Sequence, residues 1–361
     1  MPSQNPKATF GFRLQQARKM AGLSLRELSD KIDRAVSHAA LAKYEKGQMM
    51  PDSSLLVILS RTLGQSPDFF FRPSKLKLTD VRFRKMARLA RTTEDAIRDS
   101  ALDYFERYAE IEELLGIAKP FTNPLGSRVI ATAEEAEAQA KALRREWHLG
   151  HDPIPNVIAM LEGKGIKIQE IQTEDRHFDG LCATTEAGPV IAIASWLNSN
   201  VLRKRMTVVH ELAHVVLTLA EKLAEKDEEK LISRFAGAFL LPADSFREQF
   251  GRHRSAITLE ELIQLKVFYG VSITAIMMRA WQLGLISAAV HNRFWSEWGM
   301  KWRQAQCEPG DDACPLHETP QRFRLLVHRA AAEQVISLSK GATLLGVTLG
   351  EFRDELSRVM A

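Results

Sequence analysis

Cysteine is scarce in this chain: three residues in 361, Cys182, Cys307 and Cys314. So few thiols cannot staple a disulfide scaffold, and they fit a reducing compartment. Long apolar runs are missing too. The opening residues, Met1-Pro2-Ser3-Gln4-Asn5-Pro6, hold no apolar core of the kind a signal peptide needs, and the most apolar later stretch, residues 208–220, is interrupted by His210, Glu211 and His214. No membrane association is expected, and the expected location is the cytoplasm. Glycine and proline are not in excess. With 20 Gly, 14 Pro, 45% hydrophobic and 26% charged residues, collagen-like, coiled-coil-only and largely disordered chains are excluded. What is there is the composition of a folded protein long enough for two or three domains.

The net charge of +4 conceals an asymmetry. Residues 1–92 hold 18 Lys/Arg against 7 Asp/Glu, whereas the remainder holds 31 against 38. A basic head on an acidic body places any polyanion binding in the head.

Within the head, Leu14, Ala17, Met20 and Leu23 recur at helical spacing, and Ser24 with Glu27 forms a capping box ahead of Leu25, Leu28 and Ile32. Val36, Leu41 and Tyr44 follow, then a Gly47 break, Pro51 opening a further helix, and an apolar series from Leu55 to Leu63 before Gly64. Helices this short must share one core. The runs LSLRELSDKI, VSHAALAKYEKG and PDSSLLVILSRTLGQS resemble the phage-repressor-like helix-turn-helix family over residues 10–71. The resemblance implies a recognition helix opened by Val36-Ser37, with Ser37, His38, Ala39 and Lys43 facing the major groove of double-stranded DNA. Lys43, Lys46, Arg18 or Arg34 would then meet phosphates. The turn Asp33-Arg34-Ala35 is longer than is usual there, and alanines at 39 and 40 stand where polar base-readers are common. The competing reading of the head is a protein-interaction domain with a basic, solvated face.

Residues 72–92 are densely basic and interleaved with Leu and Phe; they read as a linker, either following a phosphate backbone or merely solvated. Thr92 and Asp95 read as the capping box of a long helix. Its stripe of Ile97, Ala101, Phe105, Tyr108, Ile111 and Leu115 packs within the chain, a homodimer seam being the alternative. Pro120 and Pro124 close that segment. The pattern then becomes mixed. Thr132 and Glu135 cap a helix running to Trp147, a second helix covers residues 156–162, and Ile166-Lys167-Ile168 follows. Residues 180–185 and 189–195 flank Glu186-Ala187-Gly188 as a hairpin. A peptide substrate is expected to add as a strand beside residues 190–195.

His210-Glu211-Leu212-Ala213-His214 lies in an apolar helical stretch, residues 206–219. On a helix, i and i+4 share a face, so both imidazoles reach one ion while Glu211 sits alongside. Catalytic zinc takes three protein ligands and keeps one position open for a water that a carboxylate can deprotonate. Glu211 is the candidate base. Val208, Val209, Leu212, Val215, Val216 and Leu217 make this helix buried, where two histidines and a glutamate are costly without a partner. The acidic run Glu225, Asp227, Glu228, Glu229 opens a further helix from which a carboxylate supplies the third ligand.

The stretches RKRMTVVHELAHVVL and EKLISRFAGAFLLP, with DGLCATTEAGPVIAIAS upstream, resemble the ImmA/IrrE family of zinc-dependent peptidases. The likeness continues through VSITAIMMRAWQLGLIS, CEPGDDACPLHETPQRF and ISLSKGATLLGVTLGEF, covering nearly the whole chain. It implies His210, His214 and Glu229 as ligands of Zn2+ and Glu211 as the base, with Glu228 as the alternative third ligand. Ser233 stands where that family often has Asn or Asp, and Ile232 where it often has a small residue. A helix-turn-helix fused to this module is an arrangement known in the family, whose activity is cleavage of a regulatory protein, often a transcriptional repressor, during stress or mobile-element induction.

Three weaker signals remain. Residues 262–286 resemble another helix-turn-helix but are not notably basic, which favours packing. Cys307, Cys314 and His317 have irregular spacing and no fourth ligand, which favours reduced thiols in a loop. His177, ahead of the hairpin, reads as a loop histidine, with polarisation of a scissile carbonyl as its alternative role. The expected fold class is α+β and mostly helical: a helix-turn-helix bundle at 1–72, a basic linker and helical connector at 73–124, a zincin-like domain with a small sheet at 125–250 and a helical region at 251–361. The rival to a peptidase is a transcriptional regulator whose zincin-like module is a non-proteolytic structural or sensing unit. Glu211 argues against it, because a scaffold uses the two histidines but has no need of a base.

Overall fold

The computed structural model describes residues 5–85, 89–173, 175–305 and 307–357. The head contains α1 (Pro6–Met20), α2 (Leu25–Lys31), α3 (His38–Glu45) and α4 (Ser53–Leu63), then a 3-10 turn, Pro67–Phe71. They share a core that includes Phe10, Leu14, Leu28, Leu41, Leu59 and Phe70. Caps set the boundaries: Ser24 and Glu27 form the expected box, and Ser37 accepts from the Ala40 N–H. Asp52, not Pro51, caps α4. The long turn between α2 and α3 is made by Asp33 and Arg34, both left-handed at φ 51° and 57°. Gly11 lets α1 lie on the end of α3, since a Cβ there would stand 2.5 Å from the carbonyl oxygens of Tyr44 and Glu45.

The segment expected to be a basic linker is instead a strand, β1 (Thr79–Lys85). It leads to α5 (Arg91–Leu114), which starts at an Ala90 N-cap with no side-chain cap, so the expected Thr92 box is not formed. Next come β2 (Val129–Ile130), α6 (Ala133–Glu146) behind its Thr132–Glu135 capping box, α7 (Val157–Gly163), β3 (Lys167–Ile171), β4 (Phe178–Thr185) and β5 (Gly188–Ala194). Four strands form one sheet in the order β1-β4-β5-β3, antiparallel except for β3 with β5. Strand β5 therefore has a neighbour on each side. Its backbone groups are taken, and the expected addition of substrate beside residues 190–195 is ruled out there.

Alternation along the sheet explains why the hairpin reads as apolar on both faces. Cys182, Ile191 and Ile193 join the core beneath α8 (Val201–Val216) and α9 (Glu225–Leu240). Leu181, Ala183, Val190 and Ala192 pack with Ile97, Ala101 and Phe105 of α5. Helix α8 stops at Val216, short of the expected 219, because Leu217 turns extended and β6 (Thr218–Leu219) pairs parallel with β2.

Beyond α9 lie α10 (Ala243–Phe250), α11 (Leu259–Tyr269), α12 (Ile273–Gln282), α13 (Ala288–Phe294) and α14 (Met300–Ala305). The core that begins at Ile130 runs on to Phe294. The corner between α11 and α12 is internal: Arg279 of α12 is buried and donates to both oxygens of Glu137 on α6, at 3.0 and 2.8 Å. The last helices, α15 (Arg322–Ala332), α16 (Leu338–Leu345) and α17 (Leu349–Ser357), pack Phe323, Val327 and Phe352 with Tyr108 and Ile111 of α5. The stripe of α5 is thus consumed within the chain. The head docks on this helix as well, through Arg13 with Glu106 at 2.6 Å and Arg72 with Asp103. Among the described residues, no single helix is long and apolar enough to cross a membrane.

Candidate active site

Two helices build the site. Helix α8 is held between the sheet and α9 by Val208, Val209, Leu212 and Val216, which leaves His210 and His214 on one side, one turn apart. Helix α9 buries Leu231, Ile232, Phe235 and Phe239, and this orientation brings Glu229, in its second turn, over the histidines. Nε2 of His210 lies 3.2 Å from Oε2 of Glu229, and Nε2 of His214 lies 3.6 Å from Oε1. His210 Nε2 has no hydrogen-bond partner, so the carboxylate faces the ring without the alignment of a hydrogen bond. The three ligand atoms lie within 4.8 Å of one another. Among the described residues, no other group of His, Cys, Asp or Glu gathers in this way; Cys307, Cys314 and His317 do not. Glu228 turns aside and faces Arg82 at 3.8 Å.

Glu211 is fully buried beside this cluster, and neither of its oxygens has a hydrogen-bond partner. Burial pushes its carboxyl up to about 7, against the pull of His214 and Arg84. Burial also brings His210 down to about 4 and so favours the neutral, metal-binding imidazole. Glu229, half exposed, is held far below the usual carboxylate range by the two imidazoles. Two imidazoles and one carboxylate, with no hydrogen bond to His210 Nε2 or to the base, fit a zinc ion with an open position.

The cluster opens on a cleft of about 580 Å3. Arg84, Asp179, Arg203, Glu229 and Ser233 line it, together with Trp295, Trp302 and Glu308. Four residues near the base were not singled out from sequence. Cys182 of β4 sits against Glu211, and burial followed by that carboxyl raises its thiol pKa. Arg203 holds both oxygens of Asp179 at 3.0 and 2.9 Å, and Arg84 of β1 stands 3.9 Å from the same carboxylate. The alternation Val81-Arg82-Phe83-Arg84 is a period-two signal that identifies β1. His177 is exposed and bonded to Asp175 at 2.9 Å.

In the head, Ser37, His38, Ala39, Lys43 and Lys46 are all exposed along α3 and its ends. The Ser37 oxygen is also the helix cap, accepting from Ala40 N–H at 3.2 Å. Arg18 is not available to a phosphate: its Nε donates to Glu45 at 2.6 Å and its Nη1 to the Leu23 carbonyl at 2.6 Å. Arg34 pairs with Asp30 at 3.0 Å while remaining exposed.

Residues 161–280 match the family model of the IrrE N-terminal-like domain, Peptidase_M78, and residues 14–70 match that of the helix-turn-helix, HTH_3. The first describes a zinc metallopeptidase family, and it spans β3 to α12, including His210, Glu211, His214 and Glu229. The second runs from within α1 through α2, α3 and α4 into the 3-10 turn. No curated protein and no solved structure matches the chain.

Proposed function

Because this chain carries a helix-turn-helix ahead of an IrrE N-terminal-like, metallopeptidase-family domain, we propose that it is a DNA-binding, zinc-dependent endopeptidase of the cytoplasm. Its substrate is a regulatory protein, a transcriptional repressor, cleaved in a stress or mobile-element response. The observation that carries this reading is the convergence of His210, His214 and Glu229 beside a buried base, Glu211. Zn2+ held by these three residues supplies Lewis-acid chemistry and makes a water acidic near neutral pH. Glu211 takes the proton of the attacking water and delivers it to the amine nitrogen released when the C–N bond breaks. Its two unpartnered oxygens suit this exchange.

Ser37, His38, Ala39, Lys43 and Lys46 form the surface offered to double-stranded DNA. Docking of the head on α5 fixes the offset between that surface and the cleft, so operator DNA bound by α3 brings a neighbouring repressor to the peptidase as an effectively intramolecular encounter. The test is incubation of the zinc-loaded chain with the repressor encoded beside its gene, resolved by mass spectrometry. Wild type cleaves it; Glu211→Gln keeps zinc and DNA binding but leaves it intact. Biological activity unchanged in Glu211→Gln favours instead a regulator whose zincin-like module is not proteolytic.

A further inference from the structure

Arg84 comes from outside the residues matched to the peptidase model, yet β1 delivers it to the base. In the ladder, Arg84 pairs with Gly180 of β4, and Phe83 with Leu181. Phe83 and Leu181 belong to the core against α5, so the intervening register places Arg84 and Gly180 on the opposite face, toward α8. A Cβ on Gly180 would stand 3.4 Å from Cγ of Glu211 and 3.4 Å from Cγ2 of Thr207. That bare position keeps any side chain of Gly180 out of the space beside Glu211, on the face of the sheet that Arg84 shares. The pairing register slips immediately after Arg84, a break of the kind that re-aims a side chain beside a site.

The guanidinium is anchored at one end and free at the other. Its Nε faces Asp179 at 3.9 Å, and Asp179 is itself fixed by Arg203, which stacks over Trp196 at 4.7 Å. Its Nη1 is buried and has no hydrogen-bond partner among the described residues. Burial lowers the pKa of Arg84, opposed by Glu211, Asp179 and Glu229, so three carboxylates keep the cation charged in the cleft wall. A buried donor without an acceptor is costly and points to a group that arrives.

Resting on the peptidase reading above, we propose that Arg84 is a catalytic residue whose free Nη1 donates to the scissile carbonyl oxygen as it becomes an oxyanion. The water oxygen bonds to the carbonyl carbon, and the carbonyl π electrons pass to its oxygen while Glu211 takes the water proton. Arg84 receives the new charge through a charge-assisted hydrogen bond and transfers no proton. Collapse restores the carbonyl, breaks the C–N bond and returns the proton from Glu211 to the leaving amine.

The test uses the zinc-loaded full chain and two probes: N-phosphoryl-Leu-Trp, whose tetrahedral anion imitates the intermediate, and Leu-Trp, which lacks it. Affinities are measured by calorimetry, zinc content by elemental analysis and folding by thermal melting. Arg84→Gln should bind the phosphoryl dipeptide about 10²-fold more weakly, as expected for loss of one oxyanion donor, and bind Leu-Trp as before with full zinc. Arg84→Lys keeps the charge but loses the planar fork and should recover part of the loss. Equal binding of the phosphoryl probe by wild type and both variants, or loss of zinc from both, overturns the assignment. So does a zinc-loaded wild type that binds the two probes alike. A wild type that takes up no zinc overturns the peptidase reading itself and this inference with it.

Discussion

Arg13 and Glu106 meet at 2.6 Å with both side chains buried, joining the first helix of the head to the connector helix across 93 positions of sequence. Removing one member of such a pair strands the other charge away from water, at a cost of about 3–5 kcal/mol. Glu106 keeps Ser74 Oγ at 2.6 Å and Arg72 at 3.5 Å, so Arg13→Ala should lower stability by the lower end of that range and separate unfolding of the head from that of the body, where wild type should unfold as one unit. Denaturant unfolding followed by fluorescence, with limited proteolysis of residues 72–79, reads both effects. The double change Arg13→Met with Glu106→Leu should restore much of the loss. An Arg13→Ala protein as stable as wild type would mean that the head is not held by this contact.

Glu211 supplies a prediction in the metal-free protein. Its folded-state carboxyl lies near 7, above the unfolded 4.5, so the folded state binds more protons across that window. The contribution of Glu211 to stability consequently declines as pH rises from 4.5 through 7 and stays unfavourable above it. Glu211→Gln removes the buried charge and should stabilise the metal-free chain by about 2 kcal/mol at pH 8, after allowing for the buried amide, with little difference below pH 4.5. Urea unfolding of chelator-treated proteins across that range checks it. A variant no more stable at pH 8 than at pH 4.5, relative to wild type, would show that Glu211 is solvated when metal is removed.

The head should bind duplex DNA through exposed cations and not through all of its arginines. In the full chain, Lys43→Ala and Lys46→Ala should each weaken binding to a random-sequence duplex and reduce the salt slope by about one phosphate contact. Arg18→Ala should act differently, lowering the stability of the head because Glu45 loses its partner. Fluorescence anisotropy at a series of salt concentrations separates the two. Binding that does not respond to salt would make the head a protein-interaction domain.

How far the sequence disclosed this molecule depended on whether a signal was local. The pairing of His210 with His214 is legible because i, i+4 spacing on a helix states its own geometry, whereas the residues of the acidic run leave the third carboxylate open and only the family resemblance singles out Glu229. Caps at Ser24 and Thr132 are legible for the same reason as the histidine pair. Strand β1 was not, since the density of Lys and Arg around Val81-Arg82-Phe83-Arg84 masked a short alternating pattern, and strand pairing with β4 is decided almost 100 residues downstream. Arg18 reads as one of several possible phosphate contacts because nothing local shows that Glu45, 27 residues away, accepts its hydrogen bonds. Position within a sheet is equally non-local, which is why residues 190–195 read as a free edge and prove to be an interior strand.

Zinc stoichiometry is the measurement that bears most directly on the site. Elemental analysis of the purified full chain should find one zinc per molecule in wild type and in Glu211→Gln, and almost none in His210→Ala, His214→Ala or Glu229→Ala, while Glu228→Ala retains it. Full occupancy in the Glu229→Ala protein, or a wild type that binds no zinc, would contradict the account.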